Sequence, residues 1–213
     1  MDAPIVRPVG GRGALLLRAA IDLLVETGSP DVTVQQVLER TGLSLRAFYQ
    51  HFAGKDELLL AVLAEAVAGY VDQVRLRLAG IEDPVERLRA YVADLFATVT
   101  ATAGDGHLLS RSLTLVHLRL AAERPELVAG ALEPQLRLAE ELVTAGVAAG
   151  RLRRDIAPRQ LAAILTETLV AMGHRGVLRS TLHGGAPFGA DELWAFCLGG
   201  ITGSSGTAPQ ERA

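Results

Sequence analysis

Cysteine, aromatic residues and long apolar runs are all scarce in this chain of 213 residues. The single cysteine, Cys197, excludes an internal disulfide and a metal site built from cysteine clusters, and its apolar neighbours predict a small buried residue. The longest apolar stretch, residues 58–71, is interrupted by Glu65 and is too short to span a bilayer. The first residues carry an acid, Asp2, and no apolar segment of a signal peptide, so we expect a cytoplasmic protein without membrane contact.

The patterns of catalytic and metal-binding sites are also missing. The five histidines do not show the H-E-x-x-H spacing of a zinc site. The glycine-rich stretch at 10–13 follows no strand pattern, so it does not predict a dinucleotide-binding loop. The histidine and glycines at 183–185 are not accompanied by the G-x-S-x-G sequence of a hydrolase. We therefore expect a protein that is not an enzyme and that has no metal and no cofactor.

Charge alone does not predict a nucleic-acid-binding protein. The formal net charge is −3, and residues 1–55 carry six basic and five acidic side chains. Because this excess of positive charge is small, affinity for a nucleic acid must come from geometry and dimerisation rather than from a large basic patch. Lysine is especially rare, since Lys55 is the only one beside 20 arginines.

Apolar residues recur at helical spacing along the chain, and no segment alternates as a β-strand does. With 49% apolar residues, the chain can bury a substantial core, and we expect an all-α fold. Proline, glycine and capping residues divide the pattern into nine predicted helices. They cover residues 13–26, 34–41, 45–52, 55–79, 84–99, 108–122, 125–149, 158 to at least 172, and 191–201.

Residues 33–60 predict two short helices joined by a tight turn and followed by a longer helix, which is the layout of a helix-turn-helix. Thr33 and Gln36 have the spacing of a capping box. Gly42 can adopt the positive φ of a helix end, and Ser44 can cap the second helix. Capping accounts for Thr33 and Ser44, and the amide ends of the helices that they cap can also face phosphates.

The second of these helices, residues 45–52, has an apolar face and an open face. Phe48 and Phe52 are four residues apart, so they share a face that we expect in the core. The side chains predicted to face solvent or a partner are Leu45, Arg46, Ala47, Tyr49, Gln50 and His51.

Several open-face residues suit the recognition of base edges in DNA. The planar donor fork of Arg46 matches guanine O6 and N7, and Gln50 can pair with adenine. Leu45 and Ala47 can touch a thymine methyl group. The alternative for each of them is an ordinary surface residue.

The string G-L-S-x-x-x-F-Y-x-H-F-x-x-K-x-E-L-L, which begins at Gly42, resembles the DNA-binding signature of the TetR-type (tetracycline-repressor-like) transcriptional regulators. The resemblance is close over residues 10–62, and the rest of the chain is similar in length and helix pattern. It implies that Tyr49 and His51 are a phosphate-contacting pair. It also implies that Lys55, where the next helix starts, contacts a phosphate.

The same resemblance implies a domain order. We expect a helix-turn-helix DNA-binding domain at 1–55, an effector-binding and dimerisation domain at 56–202, and a disordered tail at 203–213. The last two helices resemble the dimerisation pair of the family, and their apolar residues exceed what one narrow core stripe needs. The candidate interface residues are Leu169, Trp194 and Leu198.

The middle helices are expected to enclose a pocket for a small hydrophobic or aromatic effector. For each candidate residue, an ordinary place in the core is the alternative. The candidates are Tyr91, Phe96, Leu113, His117, Leu165, Thr168 and Met172.

Two functions from different classes remain open. The first is a homodimeric transcriptional regulator, a repressor that an effector releases from a two-fold symmetric operator in double-stranded DNA. The second is a helical ligand-binding or interaction protein of the same fold without specific DNA recognition. The complete set of Arg46, Tyr49, His51 and Lys55 favours the first.

Overall fold

The structure, a computed structural model, describes residues 10–101, 107–177 and 189–202. Over these ranges every regular element is a helix, which confirms the all-α prediction. None of the described helices has the length and apolarity needed to cross a bilayer. The segment at 183–185 and the tail at 203–213, which we predicted to be disordered, lie outside the described residues.

Nine helices run through the described part of the chain, close to the predicted positions. The three N-terminal helices are α1 (Arg12–Thr27), α2 (Val34–Thr41) and α3 (Leu45–Tyr49). The six that follow are α4 (Lys55–Leu78), α5 (Pro84–Thr100), α6 (His107–Glu123), α7 (Pro125–Ala148), α8 (Pro158–Val177) and α9 (Ala190–Thr202).

Helix α3 is shorter than the predicted span of 45–52. The chain keeps a helical turn as far as Phe52, whose amide donates to the carbonyl of Phe48 at 3.0 Å. Beyond it, the amide of Ala53 donates to the carboxylate of Glu57 in the first turn of α4. This side-chain bond lies at the start of the next helix, and α3 itself has five residues.

The first apolar cluster joins the N-terminal helices to the middle of the chain. It contains the inner faces of α1–α3 and the N-terminal half of α4, with further residues from α6 and α7. Phe48 and Val37 are completely buried in it. Burying each such side chain stabilises the fold by about 1.5–3 kcal/mol relative to leaving it exposed.

The second apolar cluster lies further along the chain. The C-terminal half of α4 packs there with α5, α7, α8 and α9, around the fully buried Leu88, Tyr91 and Leu169. Helix α4 therefore contributes its first half to one cluster and its second half to the other. A shift of α4 cannot leave either cluster unchanged, because close-packed cores transmit strain.

Candidate functional site

The turn before α3 is built by side-chain caps. The hydroxyl of Thr33 accepts from the amide of Gln36 at 3.2 Å, and the amide of Thr33 donates to the Gln36 side chain at 2.8 Å. Gly42 ends α2 at φ 67°, a conformation that L side chains rarely adopt. Ser44 accepts from the amide of Ala47 at 3.2 Å. The predicted capping roles of Thr33 and Ser44 are confirmed, and contact of their helix ends with phosphate stays a prediction.

The aromatic residues of α3 hold it in place by one face. Phe48 and Phe52 are buried as predicted, and their ring centroids lie 5.8 Å apart. The ring of Tyr49 packs edge-on against Phe48, with centroids 5.5 Å apart. Tyr49 is nevertheless 57% exposed, so its phenol is supported by the core while it remains open to a partner.

One residue of the predicted open face is in the wrong place. Ala47 is buried, whereas Leu45, Arg46, Tyr49, Gln50 and His51 are exposed as expected. The inner face of α3 is wider than the stripe of Phe48 and Phe52, as is usual for a short helix packed on a core. The expectation that Ala47 faces solvent was therefore wrong, and its methyl group has little surface to offer a base.

The cations next to α3 differ in their partners. Arg40 at the end of α2 makes a two-pronged ion pair with Glu26 of α1, at 2.7 Å for each contact. Hydrogen bonding from Arg40 lowers the pKa of Glu26. By contrast, Arg46 and Lys55 make no ion pair with any residue that the structure describes. These two cations remain available to phosphates or bases.

The start of α4 is tied to α6 by an ion pair. Arg119 of α6 bonds the carboxylate of Asp56, which follows Lys55 in the chain. A second contact joins α6 to α1, since the buried hydroxyl of Ser112 donates to the carbonyl of Leu24 at 3.0 Å. Sequence patterns missed this bridge because neither residue has a spacing signal that names its partner.

The residues predicted to line an effector pocket do not form one group. Tyr91 and Leu165 are buried in the second cluster with Phe96 at its edge, whereas Leu113 packs against the first cluster. Thr168 uses its hydroxyl within α8, donating to Ile164 at 2.7 Å. Met172 is partly buried near the end of the described part of α8. Their role in binding an effector stays a prediction.

His117 has a specific neighbour that the sequence did not name. Its Nδ1 lies 3.2 Å from Nε2 of His174, which joins α6 to α8. Burial lowers the pKa of both imidazoles, and the nearby charge of His174 lowers that of His117 further. The pair therefore favours the neutral state, in which one ring donates to the other.

Three buried polar side chains meet in the second cluster. The hydroxyl of Tyr91, the side-chain nitrogen of Gln135 and the hydroxyl of Thr166 are inaccessible to solvent, and none has a hydrogen-bond partner of full geometry. Burial raises the pKa of Tyr91 to about 12, and weak hydrogen bonding with Thr166 and Gln135 offsets part of the rise. Sequence analysis missed Gln135 and Thr166, although a glutamine within the apolar stripe of α7 was a usable signal.

The predicted dimer residues pack largely within a single chain, and their role in an interface stays a prediction. Leu169 is completely buried and Trp194 is 8% exposed within a single chain, because both pack into the second cluster. Leu198 is partly buried at the edge of the same cluster. Large apolar side chains that α8 and α9 leave open, among the residues whose side chains are described, are Ile164, 56% exposed, and Phe196, 78% exposed.

Comparison with known proteins agrees with this arrangement. The sequence model of "Bacterial regulatory proteins, tetR family" matches residues 16–62. The HTH-type transcriptional regulator TcmR of Streptomyces glaucescens is 30% identical over 147 residues, which cover 68% of this chain and 58% of that protein. The HTH-type transcriptional activator FasR of Mycolicibacterium smegmatis is 37% identical over 102 residues, covering 42% and 46%. The chain thus spans about half the length of these curated relatives.

The whole fold also has solved counterparts. The fatty acid degradation regulator FadR of Bacillus halodurans superimposes with a TM-score of 0.68 at 19% identity, over 94% of this chain and 97% of the other. At that identity the likeness concerns the fold. The similarity in fold covers 94% of this chain and therefore extends well beyond the helix-turn-helix. The helix-turn-helix part of the chain, residues 16–62, belongs to the tetR family of bacterial regulatory proteins.

Proposed function

We propose that this protein is a cytoplasmic, sequence-specific DNA-binding transcriptional regulator that responds to a small molecule. The observation that carries the proposal is the form of α3, whose inner face is locked by Phe48 and Phe52 while Arg46 and Tyr49 remain exposed. A rigid helix with an open polar face is what the major groove accommodates. Exposed Gln50 and the nearby Lys55 extend this face toward bases and phosphates.

Two domains divide the work in this proposal. Residues 1–55 bind DNA, and residues 56–202 bind the effector and a second copy of the chain. The homodimer places two α3 helices about 34 Å apart on a two-fold symmetric operator. Exposed Ile164 on α8 and Phe196 on α9 are the residues that such an interface would cover.

The effector site is proposed in the second cluster, around the buried polar atoms of Tyr91, Gln135 and Thr166, which bond one another only weakly. Buried polar groups with poor hydrogen bonds are costly, so a ligand that supplies a better partner gains affinity there. The apolar neighbours of these atoms suit a small hydrophobic or aromatic body. The effector is thus a mainly apolar molecule with at least one hydrogen-bonding group.

The effector acts by population shift between two arrangements of the DNA-binding helices. A ligand that prefers the arrangement unable to bind DNA lowers the affinity of the protein for its operator. The size of the effect is set by the difference between the ligand's affinities for the two arrangements. Helix α4 belongs to both clusters, and α6 touches α1 through Ser112 and α4 through Arg119. These elements can carry a change near Tyr91 to α3. Release from the operator makes the protein a repressor, although one relative is named as an activator.

The test is genome-wide mapping of the DNA that the protein binds, with and without candidate metabolites. We expect a short two-fold symmetric sequence that is lost when the effector is present. The same molecule should bind purified protein, and operator DNA should weaken its binding by the same factor. Tyr91→Phe and Gln135→Leu should weaken it, whereas Thr98→Val, on the exposed side of α5, should not.

The alternative is a ligand-binding or interaction protein of the same fold that does not recognise a DNA sequence. It predicts that small molecules raise the melting temperature while no operator is enriched. The cations Arg46 and Lys55, which make no ion pair within the described residues, favour DNA recognition. A protein of this fold that only binds ligands would not require them.

A further inference from the structure

A recess lies between the C-terminal end of α4, the N-terminal end of α5 and the C-terminal half of α7. Its cavity volume is about 270 Å³, near the lower limit of about 300–1,000 Å³ that is typical of small-molecule pockets. Leucines form its apolar floor, and charged side chains stand at its rim. The floor is Leu78, Leu138 and Leu142, and the rim carries Arg75, Arg87 and Glu141.

The charges at the rim do not balance. Glu141 is engaged by Arg75 through two contacts, at 2.8 and 2.9 Å, which leaves Arg87 without a carboxylate in the recess. Hydrogen bonding from Arg75 lowers the pKa of Glu141, so this pair stays ionised and neutralises itself. One positive charge therefore remains.

The acids in the first turn of α5 do not serve Arg87 either. Asp83 accepts hydrogen bonds from the backbone amides that open α5, and it lies 3.3 Å from Arg151. Glu86 lies 3.5 Å from Arg89. Asp83 and Glu86 are thus engaged by partners other than Arg87.

Arg87 is also unsatisfied at the atomic level. Its Nε is inaccessible to solvent and makes no hydrogen bond, while the side chain as a whole is partly buried beside the leucine floor. The solvent-inaccessible Nε holds the guanidinium beside the apolar surface, and an arginine without a carboxylate partner there is a natural place for an anion, bound through its terminal nitrogens. The planar fork of arginine matches a carboxylate through two parallel bonds.

We propose that this recess binds a small organic monoanion, a carboxylate with a compact apolar body. The carboxylate lies on Arg87, and the apolar body covers Leu78, Leu138 and Leu142. A single negative charge fits because only one cation is unpaired, and Glu141 at the rim repels a second negative charge. The site is separate from the interior polar group, and its existence does not depend on DNA binding.

The two sites are neighbours, so the experiment must separate them. On α5, Tyr91 follows Arg87 by four residues, and on α7, Leu138 follows Gln135 by three. Residues at these spacings lie one helical turn apart on the same face. The recess is therefore the outer of two adjoining sites, and a ligand in it contacts α4, α5 and α7 together.

Calorimetric titration of the full chain, without DNA, tests the proposal with three probes. Cyclohexanecarboxylate supplies both the charge and the apolar body, cyclohexanecarboxamide supplies only the body, and acetate supplies only the charge. We expect measurable binding of cyclohexanecarboxylate and binding about tenfold weaker, or weaker still, for the other two. Equal binding of the amide, equal binding of acetate, or no binding of cyclohexanecarboxylate overturns the proposal.

Variants locate the site. Arg87→Gln should weaken cyclohexanecarboxylate about tenfold or more, and Ala145→Phe should block it by filling the recess that Ala145 lines. Arg154→Gln removes the same charge from an exposed position outside the recess and should leave binding unchanged. Binding that survives Arg87→Gln but is lost in Tyr91→Phe places the ligand in the interior site and overturns the proposal. Because DNA is absent, either result leaves the proposed regulation untouched.

Discussion

Arg46 is exposed on α3 and makes no ion pair within the described residues, so its whole donor fork is available to a base. We predict that Arg46→Ala costs about 1–3 kcal/mol of operator binding and relaxes the preference at one base pair in each half-site. Binding measured over a set of operator variants shows both effects. Arg18→Ala, on the exposed side of α1, is the matched control. An unchanged preference would assign base recognition to Gln50 and Leu45 instead.

Lys55 is expected to act differently, through the phosphates. Its neighbours in the first turn of α4 are acids already engaged, Asp56 by Arg119 and Glu57 by the amide of Ala53. Lys55→Ala should weaken all sequences about equally and reduce the salt slope of binding by about one per subunit. Titrations at several salt concentrations measure the slope. A loss confined to one operator sequence contradicts this role.

At the scale of helices, α6 is a second link, beside α4, between the N-terminal helices and the rest of the chain. We predict that Ser112→Ala destabilises the protein by about 1 kcal/mol, since it removes the buried hydrogen bond to the carbonyl of Leu24. It should also reduce the factor by which effector weakens operator binding. Denaturant unfolding and DNA titration with and without effector measure the two effects.

The neighbouring serine provides the control for this prediction. Ser110 lies on the same helix, and its hydroxyl donates to the carbonyl of Thr98 at 3.1 Å in an exposed position. Ser110→Ala should cost less stability and leave the coupling intact. Equal coupling in wild type and Ser112→Ala would show that the signal reaches α3 through α4 alone.

The pair of His117 on α6 and His174 on α8 makes stability depend on pH. Burial lowers the pKa of both rings in the folded state, whereas in the unfolded chain each ring has the ordinary histidine pKa of about 6.5. Just below about pH 6.5 the unfolded chain therefore binds more protons than the folded protein. Stability is therefore lost as pH falls below that value. His117→Gln should show a smaller drop in melting temperature between about pH 7.5 and pH 5.5 than wild type.

A variant of another histidine distinguishes the effect of this pair from that of an exposed histidine. His51 is exposed on α3, so His51→Gln should keep the acid-side drop of wild type. Thermal unfolding across the same pH range compares the three proteins. If His117→Gln and His51→Gln have the same pH dependence, the pair does not control acid stability.

At the scale of the whole molecule, the sequence predicted what depends on local pattern. Helix positions, the caps at Thr33 and Ser44, and the inward face of Phe48 and Phe52 follow from spacing and backbone chemistry. The sequence did not predict features that depend on which helices pack against each other. The burial of Ala47 and the bond from Ser112 to α1 are set by tertiary neighbours that no local pattern names.

The dimer surface shows the same limit. An apolar surplus on α8 and α9 was visible in the sequence, but which residues one chain keeps for its own core was not. Leu169 and Trp194 are used inside the protomer, so a charge at either position should unfold the chain rather than separate two chains. Residues for an interface must be sought among those that the protomer leaves open.

Phe196 is the sharpest test of the homodimer, because 78% of this aromatic side chain is exposed on α9. In a two-fold interface each subunit contributes the same residue, so a substitution acts twice. Losing the burial of two phenylalanines costs about 3 kcal/mol or more, which raises the dimer dissociation constant over about a hundredfold. We predict that Phe196→Glu gives folded monomers with weak operator binding.

Leu76→Glu is the matched control, because it places the same charge at another exposed apolar residue, 70% exposed on α4, and should stay dimeric. Sedimentation at micromolar concentration decides, and a monomeric wild type or a fully dimeric Phe196→Glu would refute the proposed interface.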